Sequence, residues 1–332
     1  MPVDAKPSFA FLVVTYNHQD YILDHLESIK YLVQTHGAEW DVDVIINDDF
    51  SRDQTRTLID CWLALNGQLF RHVKTIYNSN NLGTCASVNN MLSHMVADRC
   101  KLTAGDDVYS FENIFELTKC TQDEAIIAGR TLYLRGGNLM CDRAANALDT
   151  ATQVIYRHNT LLHRFKHFSY NNAPNLLYAT ECLMHPNVRA YLQRFDVVED
   201  WPLQIAIARE FSNRRFVLID KVLVYYRRTS GSTYIVANRR FIKDKLQVYD
   251  DLIEHESNFM EWLRLSSRRF CFKSQNRWVN KFLNMDAYFF IFSCIFNMFS
   301  IVKFQKSIKS SVDQHQRHYI KMQSLALRYK NL

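Results

Sequence analysis

The chain has 332 residues, of which 48% are hydrophobic and 22% charged, with only 8 Gly and 5 Pro. This excludes a disordered, collagenous or low-complexity protein and predicts roughly two folded units. The net charge of +6 is unevenly placed: residues 239–332 carry 17 Lys/Arg against 8 Asp/Glu, and residues 1–238 carry 23 against 26. A basic C-terminal part rich in aromatic residues suggests an anionic partner. It also sets a boundary near residue 238, between a 1–238 domain (halves about 1–110 and 111–238) and a helical 239–332 region.

In chain order, Phe9–Val14 is a continuous apolar run that predicts a buried strand, ending in Thr15-Tyr16-Asn17-His18. Asp20 is a candidate cap for a helix carrying Tyr21, Ile22, Leu26 and Ile29. Val42–Ile46 predicts a second strand, ending in Asn47-Asp48-Asp49-Phe50-Ser51. A second helix follows through Leu58–Leu65, then a third strand, Val73–Tyr77, a polar loop Asn80-Asn81-Leu82-Gly83 and a helix over Cys85–Val96. Strand and helix alternate, which predicts an α/β fold with a mainly parallel sheet, whose ligands bind beyond the carboxyl ends of the strands. The fourth such end is Lys101–Tyr109, with Gly105 before the adjacent carboxylates Asp106 and Asp107. Two carboxylates at a strand end suit a divalent cation, although Gly-Asp by itself also reads as a turn. No GxGxxG follows the first strand and no GxxxxGK[ST] occurs, which disfavours the usual dinucleotide and P-loop folds.

Phe111–Lys119 predicts a helix with Ser110 as its cap, and Ala125–Leu134 a strand near the sheet edge. Arg135–Thr150 reads as a long irregular loop, either functional or a plain surface excursion. Val154–Phe168 predicts one helix with His158, His163 and His167 roughly on one face; three His could suggest a metal face, and the favoured reading is that they are solvated or satisfied singly. Glu199 and Asp200 precede Pro202 at the start of a further helix, where the macrodipole favours negative charge. A carboxylate in such a place can instead act as a general base. Phe216–Ile219 and Val222–Tyr226 predict two short strands leading to Arg227-Arg228-Thr229-Ser230-Gly231-Ser232. Guanidinium and hydroxyl groups there suit diphosphate oxygens, and a solvated loop is the alternative.

Taken together, these segments resemble the family 2 glycosyltransferases. The resemblance rests on Phe11–Ile22 with Leu26–Ile29, on Asp48–Asp53 in place of Asp-Asp-Gly-Ser-Thr-Asp, on Asn81-Leu82-Gly83 followed by Asn89, and on Thr103–Asp107 in place of the Asp-x-Asp motif. Glu199-Asp200-Trp201 and the segment from Tyr226 to Ser232 match the family's Glu-Asp motif and closing loop. The resemblance covers about residues 8–235 and implies a GT-A fold, a nucleotide-sugar donor, Mg²⁺ or Mn²⁺, and inversion at the anomeric carbon. It implies donor contacts from Thr15, Tyr16, Asn17, Asp48, Asp49, Asn81, Gly83, Gly105, Arg227, Arg228 and Ser232, with Arg227 favoured over Arg228. It further implies Asp106, with Asp107 beside it, at the metal, Asp200 as base and Glu199 orienting. In the implied fold Arg135–Thr150 lies where the acceptor enters, as a lid or as a plain surface excursion. Ala104 stands where the motif's first Asp is expected.

Because the resemblance is to bacterial surface-polysaccharide enzymes, a UDP-sugar donor and a glycan or lipid-linked glycan acceptor are expected, at the inner face of the cell membrane. Eight Cys lack CxxC spacing and no leader pattern opens the chain, so the expectation is a reduced, cytoplasmic protein. Two rivals stand beside this reading: a non-catalytic sugar-nucleotide-binding or scaffold protein, and a nucleotidyltransferase, which the missing Gly-rich basic loop disfavours. Nucleic-acid binding has no motif, and a homo-oligomer is compatible with the sequence.

Beyond Arg239 a helix is expected to Arg264, then basic and aromatic residues, then a 16-residue apolar run, Ala287–Val302. A spanning helix needs about 20 such residues. Asp286, Ser293, Asn297 and Ser300 form a thin polar stripe on this run, flanked by Lys281, Lys303 and Lys306. The pattern fits peripheral membrane contact through 268–306, with burial against the protein or a second subunit, or a true span, as alternatives.

Overall fold

The computed structural model describes residues 6–117, 123–228, 239–305 and 312–329. Ser232 and Lys306 lie outside the described residues. The fold is α/β. A parallel sheet of order β3-β2-β1-β4 is formed by β1 (Ser8–Thr15), β2 (Asp41–Asp48), β3 (His72–Tyr77) and β4 (Arg99–Ala104). Its central strand is apolar without interruption because both faces are covered. Phe9, Phe11 and Val13 pack with α1 (Ile22–His36) and α2 (Thr55–Asn66), while Ala10 and Leu12 pack with α3 (Thr84–Ser93). The register pairs Thr15 with Asp48, Asp48 with Tyr77 and Val14 with Ala104, so the polar strand ends lie side by side at one edge. Asp20 does not cap α1; Tyr21 occupies that position, with no side-chain cap bond.

A second sheet has the order β5-β9-β6-β7, from β5 (Val108–Tyr109), β6 (Glu124–Arg135), β7 (Asn138–Met140) and β9 (Arg215–Arg227), with β8 (Leu176–Tyr178) also paired to β6. Several expectations are corrected here. Strand β6 is interior, parallel to β9 and antiparallel to β7 and β8, not at an edge. The two short strands expected over 216–226 are one strand, β9, whose register shifts against β6 where Asp220 and Lys221 interrupt the apolar pattern. Gly129 admits that irregularity, since a Cβ there would lie 2.8 Å from the Lys221 carbonyl oxygen.

The segment after β6 is not an irregular loop. Gly136 (φ 56°) and Gly137 (φ 81°) turn it back into β7, and α5 (Arg143–Tyr156) follows, capped by Asp142, which accepts from the Ala145 amide at 3.0 Å. Helix α4 (Ile114–Leu117 among the described residues) starts at Ile114 rather than at Phe111 and receives a cap bond from Asn113 rather than Ser110 (3.2 Å to the Glu116 amide); the next helices after α5 are short. These are α6 (Leu161–Lys166), α7 (Thr180–Met184), α8 (Pro186–Leu192) and α9 (Asp200–Glu210). The single helix expected over 154–168 is broken into α5 and α6, because Thr160 starts a new helix by accepting from the His163 amide.

The C-terminal helices are α10 (Arg239–Glu254), α11 (Phe259–Ser274), α12 (Arg277–Leu283), α13 (Met285–Phe296), α14 (Met298–Phe304) and α15 (Val312–Ala326). They share cores with the sheets: Val248, Tyr249, Leu252 and Leu265 join the cluster of β1, α3 and α9, and Tyr319 and Met322 join Val108, Leu132 and Tyr225. The helix expected over 239–264 breaks between α10 and α11, and the apolar run bends by 75° between α13 and α14. Among the described residues no single helix is long and apolar enough to cross a membrane.

One buried carboxylate fastens this region. Asp286, 1% exposed, receives hydrogen bonds from His167 (2.9 Å), from Arg264 (2.7 and 3.1 Å) and from the Phe168 amide, with Arg268 at 3.4 Å. Burial opposes its ionisation, but the His167 hydrogen bond and the Arg268, His167 and Arg264 charges outweigh it and hold the carboxyl at about 2. A depressed folded-state value means that the stabilisation is complete above the unfolded value of 3.8 and is lost as pH falls through about 2. Urea unfolding should therefore show Asp286→Asn less stable than the wild type at neutral pH by roughly 2 kcal/mol. The gap should close on acidification; a gap constant with pH would remove this account.

Candidate active site

The first two strand ends are cross-linked through main chain and side chain. The Asn17 amide donates to Ser51 Oγ at 2.7 Å, the Arg52 amide donates to Asn17 Oδ1 at 2.9 Å, and the Asp49 amide donates to the Thr15 carbonyl at 2.9 Å. Asn17 and Phe50 both sit at positive φ, 54° and 71°. A left-handed backbone is strained for an aromatic residue, and Phe50 occupies the position where the resembled segment has Gly. The Phe50 ring is covered by Arg52 at 4.7 Å, and Tyr16 is 43% exposed at the edge.

The two Asp of β2 and its loop are used differently. Asp49 is saturated from within: its oxygens accept from Asn78 Nδ2 (2.8 Å) and from the Leu82 (2.7 Å) and Gly83 (2.9 Å) amides, which pins the loop after β3. Asp48 accepts from the Ser51 amide at 2.9 Å and from Arg56 with one oxygen. Its other oxygen, Oδ2, is buried without a hydrogen-bond partner among the described residues, as is Thr15 Oγ1 in the paired position of β1. A buried polar atom left unpaired costs about 1–3 kcal/mol, so the open acceptor and hydroxyl at this edge are the groups with bonding capacity left for a ligand.

At the end of β4 the Gly105 amide donates to Val14 O at 2.8 Å. A Cβ on Gly105 would lie 2.9 Å from Ile22 Cδ1 and 3.2 Å from Thr15 Oγ1, so only Gly allows the corner to close this tightly. Asp106 is half-buried, whereas Asp107 is 1% exposed and accepts from the Arg227 amide at 2.9 Å. Burial, then the neighbouring Asp106, push the Asp107 carboxyl well above the usual carboxylate range. Lys101, equally buried, donates to Leu102 O and Pro174 O at 2.7 and 2.9 Å, and burial lowers it to about 7.

Arg227 spends its donors inside the protein, on Asp106 O (2.7 Å) and on Asp24 Oδ2 (3.0 Å), with its guanidinium 4.5 Å from the Tyr21 ring centroid. It fixes the Asp106–Asp107 corner to α1. Arg228 instead lies over the Tyr133 ring at 3.8 Å, with its Nε unpaired among the described residues. The hard-oxygen character of the corner fits Mg²⁺ or Mn²⁺, which the half-buried Asp106 carboxylate could hold. Ala104 contributes no ligand.

Glu199 and Asp200 stand at the start of α9 as expected, and Asp200 Oδ1 accepts from the Trp201 amide at 2.7 Å. Burial and the adjacent Asp200 charge push Glu199 up to about 7. The loop before them is positioned by residues that sequence reasoning missed. A single Asp244 oxygen, on α10, accepts from the Asp196, Val197 and Val198 amides at 2.9, 2.7 and 3.0 Å. Arg240 pairs with Asp196 and donates to Asn81 Oδ1 at 2.6 Å. Gly83, at φ 91°, has room for no Cβ: one would lie 2.3 Å from Asp196 O. The loop Asn81–Gly83 thus joins Asp49 on one side to the Asp196–Asp200 segment on the other.

A separate cluster is formed by His163, His167 and Glu261, whose candidate metal-ligand atoms lie within 4.8 Å of one another. His163 and His167 thus share one cluster and are not satisfied singly, whereas His158 is exposed and apart from them. Glu261 is already paired with Lys166 at 2.9 Å and Arg264 at 2.9 Å, and His167 bridges Glu261 and Asp286. Those charges make an ion-pair hub that ties α6 to α11 and α13.

A parallel sheet with carboxylates along its carboxyl edge, joined to a mixed sheet that leads into a carboxylate pair at a helix start, defines a protein of the GT-A glycosyltransferase type. The sequence model of Glycosyl transferase family 2 matches residues 10–176, and the chain belongs to that family. Uncharacterized proteins Rv1520 and MT1570 of Mycobacterium tuberculosis are 32% identical over 97 residues, 29% of this chain. The match spans only 26% of those relatives' length. The fold is shared with S. aureus TarS 1-349 in complex with UDP-GlcNAc (TM-score 0.57, 16% identity, 83% of this chain and 75% of that one). It is also shared with mannosyltransferase PcManGT from Pyrobaculum calidifontis in complex with GDP-Man and Mn²⁺ (TM-score 0.53, 12% identity, 98% and 88%).

Proposed function

We propose that this protein transfers a sugar, with inversion, from a nucleoside diphosphate sugar of the UDP type to a hydroxyl of a glycan acceptor in bacterial surface-glycan assembly. Family membership supports sugar transfer. The observation that carries the finer reading is the Asn81–Gly83 loop, which joins Asp49, next to Asp48 at the open edge, to Asp196 in the segment leading into Glu199 and Asp200. TarS with UDP-GlcNAc supports a UDP donor, and PcManGT with GDP-Man and Mn²⁺ supports a donor held with a divalent ion.

The nucleotide lies along Thr15, Tyr16 and Asp48, with Asp49 and Asn17 holding the loops in shape and Arg228 offering donors to phosphate oxygens. Asp106 would hold Mg²⁺ or Mn²⁺, which supplies charge neutralisation to the departing diphosphate. Asp200 removes the proton of the acceptor hydroxyl as that oxygen attacks the anomeric carbon. Glu199, protonated near neutrality, can donate a hydrogen bond and so orient the acceptor. Alignment of the reacting atoms supplies much of the remaining rate.

Ala104 favours one second reading, a sugar-nucleotide-binding protein without turnover. A single screen separates the two. UDP-, GDP- and TDP-sugars are added with and without Mn²⁺ or Mg²⁺, and melting temperature and nucleoside diphosphate release are recorded. A hundredfold excess over Kd should raise the melting temperature by roughly 5 °C, with metal-dependent release of UDP. Stabilisation without release in the presence of acceptor glycans supports the second reading. No response to any nucleotide sugar sinks both.

A further inference from the structure

The helices from α12 to α14 carry a face that nothing among the described residues covers. Phe296 is 84% exposed, Phe299 85%, Trp278 67%, Val302 66% and Phe282 60%. A contiguous apolar face on this scale marks an interaction site. It is also firmly held. Phe290, 5% exposed, packs with Ala151 and Tyr156 of α5 and lies 4.9 Å from Phe168, while Asp286 anchors the start of α13. The inner side of the bent pair is thus bound to the acceptor-side helix, and the outer side is bare.

The bend determines what the bare side presents. Asn297 Nδ2 donates to Ser293 O at 2.9 Å, and Asn297 O accepts from the Ile301 amide at 2.9 Å, so α13 ends and α14 starts on this residue. Phe296 and Phe299 flank it and form the apex. At 1.5 Å per residue, the 12-residue α13 is about 18 Å long, well short of a hydrocarbon core of about 30 Å. Neither arm spans; the bent pair has the depth of one leaflet. Charge selects the partner. Between Arg277 and Phe304 the exposed charges are Arg277, Lys281 and Lys303, all basic, and the sole acid, Asp286, is buried and paired. Lys281 lies over the Trp278 and Phe282 rings at 5.5 and 5.7 Å, which gives a cationic and aromatic rim above the apolar apex.

We propose that α12–α14 is a monotopic anchor that seats in one leaflet of a bilayer bearing anionic headgroups. Phe296 and Phe299 lie deepest, and Arg277, Lys281 and Lys303 stand at headgroup level. Because the anchor is bolted to α5, the acceptor half of the protein faces the lipid surface. This inference goes beyond the sugar chemistry and does not depend on it.

The test is co-sedimentation of the full chain with phosphatidylcholine vesicles, with and without phosphatidylglycerol, paired with light scattering for oligomeric state. The wild type should bind the phosphatidylglycerol vesicles and be released by raised salt. Phe296→Ser with Phe299→Ser should lower partitioning at least about tenfold, and Lys281→Ala or Lys303→Ala about fivefold each. Since these side chains are exposed, melting temperature and donor-induced stabilisation should be unchanged, and that control is read independently of lipid binding. The proposal is overturned by absence of vesicle binding. It is equally overturned by binding that ignores the Phe variants, or by a dimer that those variants dissociate while vesicles are not bound.

Discussion

Asp200→Asn lowers kcat by about 10²–10⁴-fold while donor-induced stabilisation persists. The substitution keeps volume and keeps an acceptor for the Trp201 amide, now 2.7 Å from Asp200 Oδ1, so the start of α9 is preserved and only proton acceptance is lost. Glu199 is the internal rival, one residue away. Its carboxyl, pushed up to about 7 by burial and by Asp200, is largely protonated below neutrality. Loss of that proton removes the hydrogen bond that Glu199 donates to the acceptor, so kcat/KM should fall as pH rises through about 7. In Glu199→Gln, which keeps a donor and does not titrate, that falling limb should vanish and a substantial part of the activity should survive. Full activity in Asp200→Asn, or abolition by Glu199→Gln alone, would transfer the base role to Glu199.

The second large effect is expected at a residue that is not itself one of the proposed reacting groups. Asp244→Ala removes the acceptor of the Asp196, Val197 and Val198 amides. A buried N–H left without a partner costs about 1–3 kcal/mol, and three together should destabilise by about 3 kcal/mol or more, out of a total that is typically 5–15. The same loss frees the segment leading into Glu199 and Asp200, so activity should fall even where the protein is still folded. Asp244→Asn, retaining one acceptor oxygen and losing the charge, should lie between. Urea unfolding and acceptor-dependent turnover check both; an Asp244→Ala cost below about 1 kcal/mol, with normal turnover, contradicts the role assigned to this carboxylate.

What could be read in advance follows from the range of the interactions. The parallel sheet was legible because β1 and β2 are buried on both faces and end abruptly in polar clusters, a local pattern. Helix α5 was not, because its inward face includes Asn146, Asp149, Thr150 and Thr152, all buried, and buried polar residues erase the apolar periodicity that signals a helix. The interior position of β6 depends on partners from β7, β8 and β9, which a single strand's composition does not encode. Among the site residues, the carboxylates at strand and helix ends were visible as types in places. Their division of labour was not: Asp49 bonded from three sides against Asp48 with one oxygen unpartnered among the described residues, and Arg227 consumed by Asp106 O and Asp24 against Arg228 with its Nε likewise unpartnered among them, are outcomes of loop geometry. Asp244 had no signal, being one of four acids on a helix with four basic residues, 46–48 residues from the amides it serves. The break at Asn297 was hidden for a different reason: a polar stripe on an apolar run is equally compatible with a straight helix.

Arg240 and Asp244 reach from α10 to the Asn81–Gly83 loop and to the Asp196–Val198 segment, so the first C-terminal helix is built into the domain that precedes it. The chain cannot be treated as a cassette with an interchangeable tail. A hybrid that borrows the helices of another family member keeps the segment leading into Glu199 and Asp200 in place only if the splice falls after Glu254 and not at the charge boundary near residue 238.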